Sequence, residues 1–174
     1  MILMACDQSV RGFAIAAAPA FWGGDWSLVH TARTDGGKVA RGDEAGRQLR
    51  MQRLFRWVDG QLAENNPDVI GFESYAYGSG ADLDVVELVG AIKLHAWRWQ
   101  KKTETIQQSS ARKLVAGEQK VPRSGADAKA LMHLLLCDAG ADPRMSLDET
   151  DALVVLNAML KNHGGQPLVP TSNR

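Results

Sequence analysis

The sequence predicts an α/β fold, a five-stranded mixed sheet with helices on both faces. Its first part holds three short apolar runs separated by turn residues, the pattern of an antiparallel meander. The rest alternates short apolar runs with longer segments whose apolar residues recur every three to five positions, the pattern of strands joined by helices. The length, 174 residues, suits one domain. We expect that domain to span 1–163, with a loose tail over 164–174 that begins at Gly164-Gly165 and carries Pro167 and Pro170.

Taken in order, residues 2–6 form an apolar strand that ends at Asp7, and residues 13–18 form a second strand across the turn-like stretch from Asp7 to Gly12. A third strand is expected around 26–33, between the turns Gly23-Gly24-Asp25 and Asp35-Gly36-Gly37. From Asp43 to Asn65, Leu49, Leu54, Phe55, Val58 and Leu62 recur at helical spacing, interleaved with Arg47, Arg50, Arg53 and Arg56, which read as a wet helix face; Asn65-Asn66-Pro67 ends the helix. Residues 68–73 repeat the N-terminal pattern of a buried strand delivering a carboxylate, here Glu73, and a Gly/Ser-bearing loop follows at 76–80. Helices are expected over 82–100, 109–116, 126–138 and 148–161, with a fifth strand over 103–107.

Composition excludes several classes. With 45% hydrophobic and 23% charged residues the chain is neither a disordered polyelectrolyte nor a collagen-like repeat. Its formal charge is zero, so any affinity for nucleic acid must come from local charge segregation. The two cysteines, Cys6 and Cys137, sit in apolar runs, as expected of reduced thiols in a cytoplasmic protein. The opening apolar run stops at Asp7, too short for a signal-peptide core or a membrane span. The four histidines have no zinc-like spacing, and there is no Gly-rich phosphate loop, nucleophile elbow or Cys-x-x-Cys that would call for a small-molecule cofactor.

Four carboxylates carry the functional argument. Asp7 and Glu73 lie at the C-terminal ends of strands, where ligands gather in open α/β sheets. Asp148 and Asp151, three apart at the start of the last helix, share one face of it, although each alone could serve as a cap or a first-turn charge. Converging acids in an apolar frame call for a cation, and oxygen-only ligands favour Mg²⁺, with Mn²⁺ able to substitute. Two such ions about 4 Å apart can activate a water and stabilise the leaving oxygen at a phosphodiester.

Charge is also segregated. Between positions 93 and 129 there are nine Lys/Arg (93, 98, 101, 102, 112, 113, 120, 123, 129) against three acids (104, 118, 127), a basic band fit to grip phosphates. Its members Arg112, Lys113, Lys120, Arg123 and Lys129 are candidate DNA contacts, as are Tyr75 and Tyr77, which could stack on bases at a branch point. Small residues Gly90-Ala91 in an apolar helix allow close helix approach and point to a homodimer, while at least one of Trp97 and Trp99 is expected to serve packing or an interface.

With Asp7 at the end of strand one, the passage Pro67–Glu73, the segment Leu147-Asp148-Glu149-Thr150-Asp151-Ala152-Leu153 and the loop Tyr75-Ala76-Tyr77-Gly78, the chain resembles a RuvC-type Holliday junction resolvase of the RNase H-like superfamily, in its bacteriophage-like branch. The resemblance implies an RNase H-like fold, a C2 homodimer and symmetric hydrolysis of four-way DNA junctions. It further implies two Mg²⁺ ions, with Asp7 bridging them, Glu73 helping to hold one and Asp148 with Asp151 holding the other. It places Lys113 and Lys129 near the scissile phosphate. The sequence departs from the family where the usual Asp-Pro-Gly after strand one is Asp7-Gln8-Ser9. A nuclease acting on RNA–DNA hybrids, flaps or forks and a non-catalytic junction-binding architectural protein stay open as alternatives, and the setting is DNA recombination and repair or phage DNA processing.

Overall fold

The structure is a computed structural model and describes residues 1–8, 12–40, 42–74 and 83–170. Strands β1 (Ile2–Asp7), β2 (Gly12–Pro19) and β3 (His30–Asp35) form the antiparallel meander, and β4 (Val69–Glu73) and β5 (Lys102–Ile106) join it in parallel with β1, giving the order β3-β2-β1-β4-β5. The helices are α1 (Glu44–Asn65), α2 (Leu83–Arg98), α3 (Gln108–Ala116), α4 (Gly125–Asp138) and α5 (Leu147–Asn162). The mixed sheet between two helical layers is the expected α/β fold.

Alternation along the central strands sorts the core into two layers. Leu3, Ala5, Ala14, Ala16 and Ala18 face α3, α4 and α5, whereas Met4, Cys6, Phe13, Ile15 and Ala17 face α1 and α2. The small residues on the first face let α5 settle into the sheet, and Thr150 through Leu160 are all buried. Gly71 completes the fit: a Cβ there would collide with the side chain of Met159, itself fully buried.

Three expectations require correction. Trp26–Leu28 is a 3-10 turn capped by Asp25 and not the start of a strand; the Asp25 carboxylate accepts from Ser27 N at 2.9 Å, and pairing with β2 begins only at His30. The tail is docked as far as residue 169: Trp22 Nε1 donates to the Gln166 carbonyl at 2.6 Å, Val169 N donates to Asn157 Oδ1 at 3.1 Å, and Leu168 is buried. Arg47 and Arg50 are tied across to α2, with Arg47 bonded to Asp84 and Glu87 and Arg50 Nη2 2.7 Å from Asp84 Oδ2. They join the two outer helices instead of forming a wet face.

The cysteines are unpaired, and burial pushes the Cys6 thiol well above its ordinary value. Among the described residues no helix is long and apolar enough to cross a membrane.

Candidate active site

The parallel pairing of β1 and β4, with Cys6 opposite Phe72, carries Asp7 and Glu73 out of the same sheet edge side by side. Helix α5 brings the other two acids. Its start is fixed by a capping box in which Ser146 Oγ accepts from Glu149 N at 3.2 Å and Glu149 Oε2 accepts from Ser146 N at 2.8 Å. Since Ser146 is the cap, Asp148 is free of that duty. It lies over the start of β2, where a Cβ on Gly12 would sit 3.1 Å from its Oδ2. Asp151, one turn on, is 2% exposed, and Asp7 is 7% exposed.

So much negative charge around two buried carboxylates is only partly relieved. Burial, then the Asp151 carboxylate, pushes the Asp7 carboxyl up to about 8, with Glu73 and Asp148 adding to the rise and Lys129 opposing it. Burial and Asp151 likewise push Glu73 up to about 7, against the pull of Arg112 and Lys129. Two cations stand among the acids: Lys129 Nζ is 2.5 Å from Asp151 Oδ2 and 3.9 Å from Asp148 Oδ1, and Arg112 Nη2 donates to Asp151 Oδ1 at 3.1 Å. Burial disfavours the Lys129 charge, but the Asp151, Asp7 and Asp148 carboxylates together outweigh it and hold the ammonium above its ordinary value.

This chemistry fits a hard divalent cation: the donors are all carboxylate oxygens, and the charge they carry exceeds what Lys129 and Arg112 neutralise. As the side chains now stand, no three His, Cys, Asp or Glu among the described residues form a ready coordination shell, and Asp151 is engaged by both Lys129 and Arg112. Binding would require the carboxylates to turn from the ammonium toward the ion.

The basic residues divide. Arg112 and Lys129 enter the acidic cluster itself, where sequence reasoning expected them to flank it. Lys113, Lys120 and Arg123 are exposed, Lys113 on α3 and the other two on the connection from α3 to α4. Tyr75 and Tyr77 lie outside the described residues. Two glutamines were missed. Gln8, 7% exposed, donates from Nε2 to the Glu73 carbonyl at 2.6 Å and accepts from Glu73 N at 3.2 Å. Gln108, at the first position of α3, donates from Nε2 to Glu73 Oε2 at 3.0 Å. The signal for Gln8 was its place after Asp7, where the resembled family has proline; Gln108 had none.

No protein-family model matches the sequence, and no curated protein matches it. Solved structures do. RuvC of Thermus thermophilus in complex with a Holliday junction superposes with a TM-score of 0.65 at 12% identity, over 94% of this chain and 97% of that one. The fowlpox virus resolvase, in complex with Holliday junction DNA, gives 0.61 at 14% identity over 94% and 99%. The chain has the RuvC-type resolvase fold. The yeast mitochondrial Holliday junction resolvase shares it at a TM-score of 0.53 and 14% identity, over 92% of this chain and 80% of that one. Within this RuvC-type frame the four acids lie at the ends of β1 and β4 and on the first turns of α5.

Proposed function

We propose that this protein is a divalent-cation-dependent endonuclease that resolves four-way DNA junctions, acting as a homodimer with one acidic site per protomer. The observation that carries the reading is the under-neutralised quartet of buried Asp7 and Asp151 with half-buried Glu73 and Asp148, at the carboxyl edge of a sheet whose fold it shares with junction resolvases. Mg²⁺ held by these carboxylates would supply Lewis-acid stabilisation of charge at the scissile phosphodiester. The chain's own residues prepare the rest: the sheet edge fixes Asp7 and Glu73, α5 presents Asp148 and Asp151, and Lys129 and Arg112, once released from Asp151, are placed to meet a phosphate. Lys113, Lys120 and Arg123 extend the positive surface for the flanking strand, and Tyr75 and Tyr77 are assigned to stacking at the branch.

The dimer reading rests on α2. Leu83, Val86, Leu94 and Trp97 are exposed at helical spacing along one face, and Gly90 among them has open space beyond it. A second copy laid on this apolar stripe would place two sites about a two-fold axis, as paired nicks in a symmetric junction require.

The test is cleavage of a synthetic four-way junction beside linear duplex, fork and RNA–DNA hybrid, with Mg²⁺, Mn²⁺ or EDTA. Paired junction nicks that depend on the cation are expected. Preferred cutting of hybrid or fork would overturn the substrate, and tight junction binding without cleavage under either metal would overturn the enzyme.

A further inference from the structure

Backbone pairing between β1 and β4 stops at Cys6 and Phe72, one residue short of the two carboxylates that the site needs side by side. Beyond that point the strands would be free to splay. The Gln8 carboxamide intervenes: its Nε2–H and Oε1 take both main-chain groups of Glu73, at 2.6 and 3.2 Å, extending the ladder by a side chain beyond its last backbone pair. A buried amide is suited to this because it offers one donor and one acceptor in a plane, matching the C=O and N–H of a peptide. On the other side, Ser74 N donates to the Ile106 carbonyl at 2.8 Å, so the exit of β4 is held from both flanks. The Glu73 carboxylate is held separately, by Gln108 Nε2 from the first turn of α3. One glutamine thus fixes where the Glu73 backbone stands, and the other fixes how its carboxylate points.

We infer that Gln8 and Gln108 are positioning residues for Glu73, setting the spacing and aim of the Asp7–Glu73 pair and through it the affinity of this edge for a divalent cation. The inference rests on the proposed reading of the carboxylates as metal ligands. Outer partners that orient metal-binding carboxylates alter metal affinity ten- to a hundredfold when removed.

The experiment measures Mn²⁺ binding by electron paramagnetic resonance without DNA, for wild type, Gln8→Ala and Gln108→Ala, beside the Mg²⁺ dependence of junction cleavage. Each variant should bind Mn²⁺ at least tenfold more weakly. Half-maximal cleavage should shift to correspondingly higher Mg²⁺, recover at saturating Mg²⁺, and leave junction affinity in EDTA unchanged. A purely structural role would lower melting temperature without moving either metal curve, and that result overturns the inference. Should Gln8→Ala fail to fold, Gln108→Ala decides the matter, because it leaves the strand pairing intact. Wild type that binds Mn²⁺ and cuts no branched DNA, with both variants binding it more weakly, would sink the nuclease reading and sustain this one. Normal cleavage with unshifted metal curves in both variants would do the reverse.

Discussion

Replacing Asp7 with asparagine should make the protein more stable and inactive at once. Asparagine keeps the shape of the side chain and removes its charge, in a place 7% exposed where Asp151, Glu73 and Asp148 all repel that charge. With the carboxyl raised from 3.8 to about 8, holding it in the fold at pH 7 costs at most about 4 kcal/mol relative to the unfolded chain, at roughly 1.4 kcal/mol per pH unit. The attraction of Lys129 is already contained in that value; part of the gain is cancelled because the carboxamide that replaces the carboxyl must itself be buried. A net stabilisation of about 2 kcal/mol is expected, or roughly 4–8 °C in melting temperature for a domain of this size.

The pH dependence gives the argument its sign. A carboxyl whose folded value lies above its unfolded one contributes stability while protonated, and that contribution is complete below its ordinary value near 4. It is lost as pH rises toward 8. Wild type in EDTA should therefore melt at falling temperature from pH 4 to 8, and Asp7→Asn should flatten part of that slope; Mg²⁺ should restore stability to wild type at pH 8 and do little for the variant. Differential scanning calorimetry across pH, with and without Mg²⁺, beside a junction-cleavage assay, reads all of this. An Asp7→Asn protein that melts below wild type at pH 8 in EDTA, or follows the same pH slope, would refute the electrostatic account.

Lys129→Met should destabilise the metal-free protein by about 1–3 kcal/mol, because Asp151 loses its nearest cation, and Mg²⁺ should recover more stability in this variant than in wild type when both are melted. Gly71→Ala should cost about 1–3 kcal/mol in urea unfolding, since the new methyl must displace the buried Met159 side chain. Trp97→Glu with Leu94→Glu should convert a particle of twice 18.9 kDa into one of 18.9 kDa by light scattering, with circular dichroism unchanged; a wild type already at the smaller mass would overturn the dimer.

The elements were legible because their signals are local. Short apolar runs bounded by Gly and Asp, and apolar spacing between them, marked each β-strand and α-helix among the described residues, with boundaries displaced by a residue or two except at β3, which starts four residues later than expected. Where long-range contacts decide, local signals failed. Trp26–Leu28 reads as strand by composition, yet Asp25 caps it into a 3-10 turn, where Trp26 Nε1 donates to the Ala139 carbonyl at 2.6 Å from the far end of α4. The tail carries two prolines and reads as loose, yet Trp22, more than a hundred residues away in sequence, supplies the donor that pins Gln166.

For the site, the four acids were legible and their surroundings were not, and the reason is physical. An acid at the end of an apolar strand stands out because burial penalises it, so its presence there already requires an explanation. A lysine in a basic stretch stands out for nothing: sequence gives Lys129 and Lys113 the same reading, and only the packing of α4 on α5 sends one into the acids and leaves the other on the surface. The distinction matters for mechanism. The cluster already holds an ammonium and a guanidinium, so a divalent cation bound there, as proposed, would have to compete with Lys129 for Asp151 and would displace the protons that burial and Asp151 favour on Asp7 and Glu73. On that reading, binding the ion and freeing Lys129 to meet a phosphate would be one exchange, and Asp7, whose carboxyl burial and Asp151 push higher than that of Glu73, would gain most from a cation beside it.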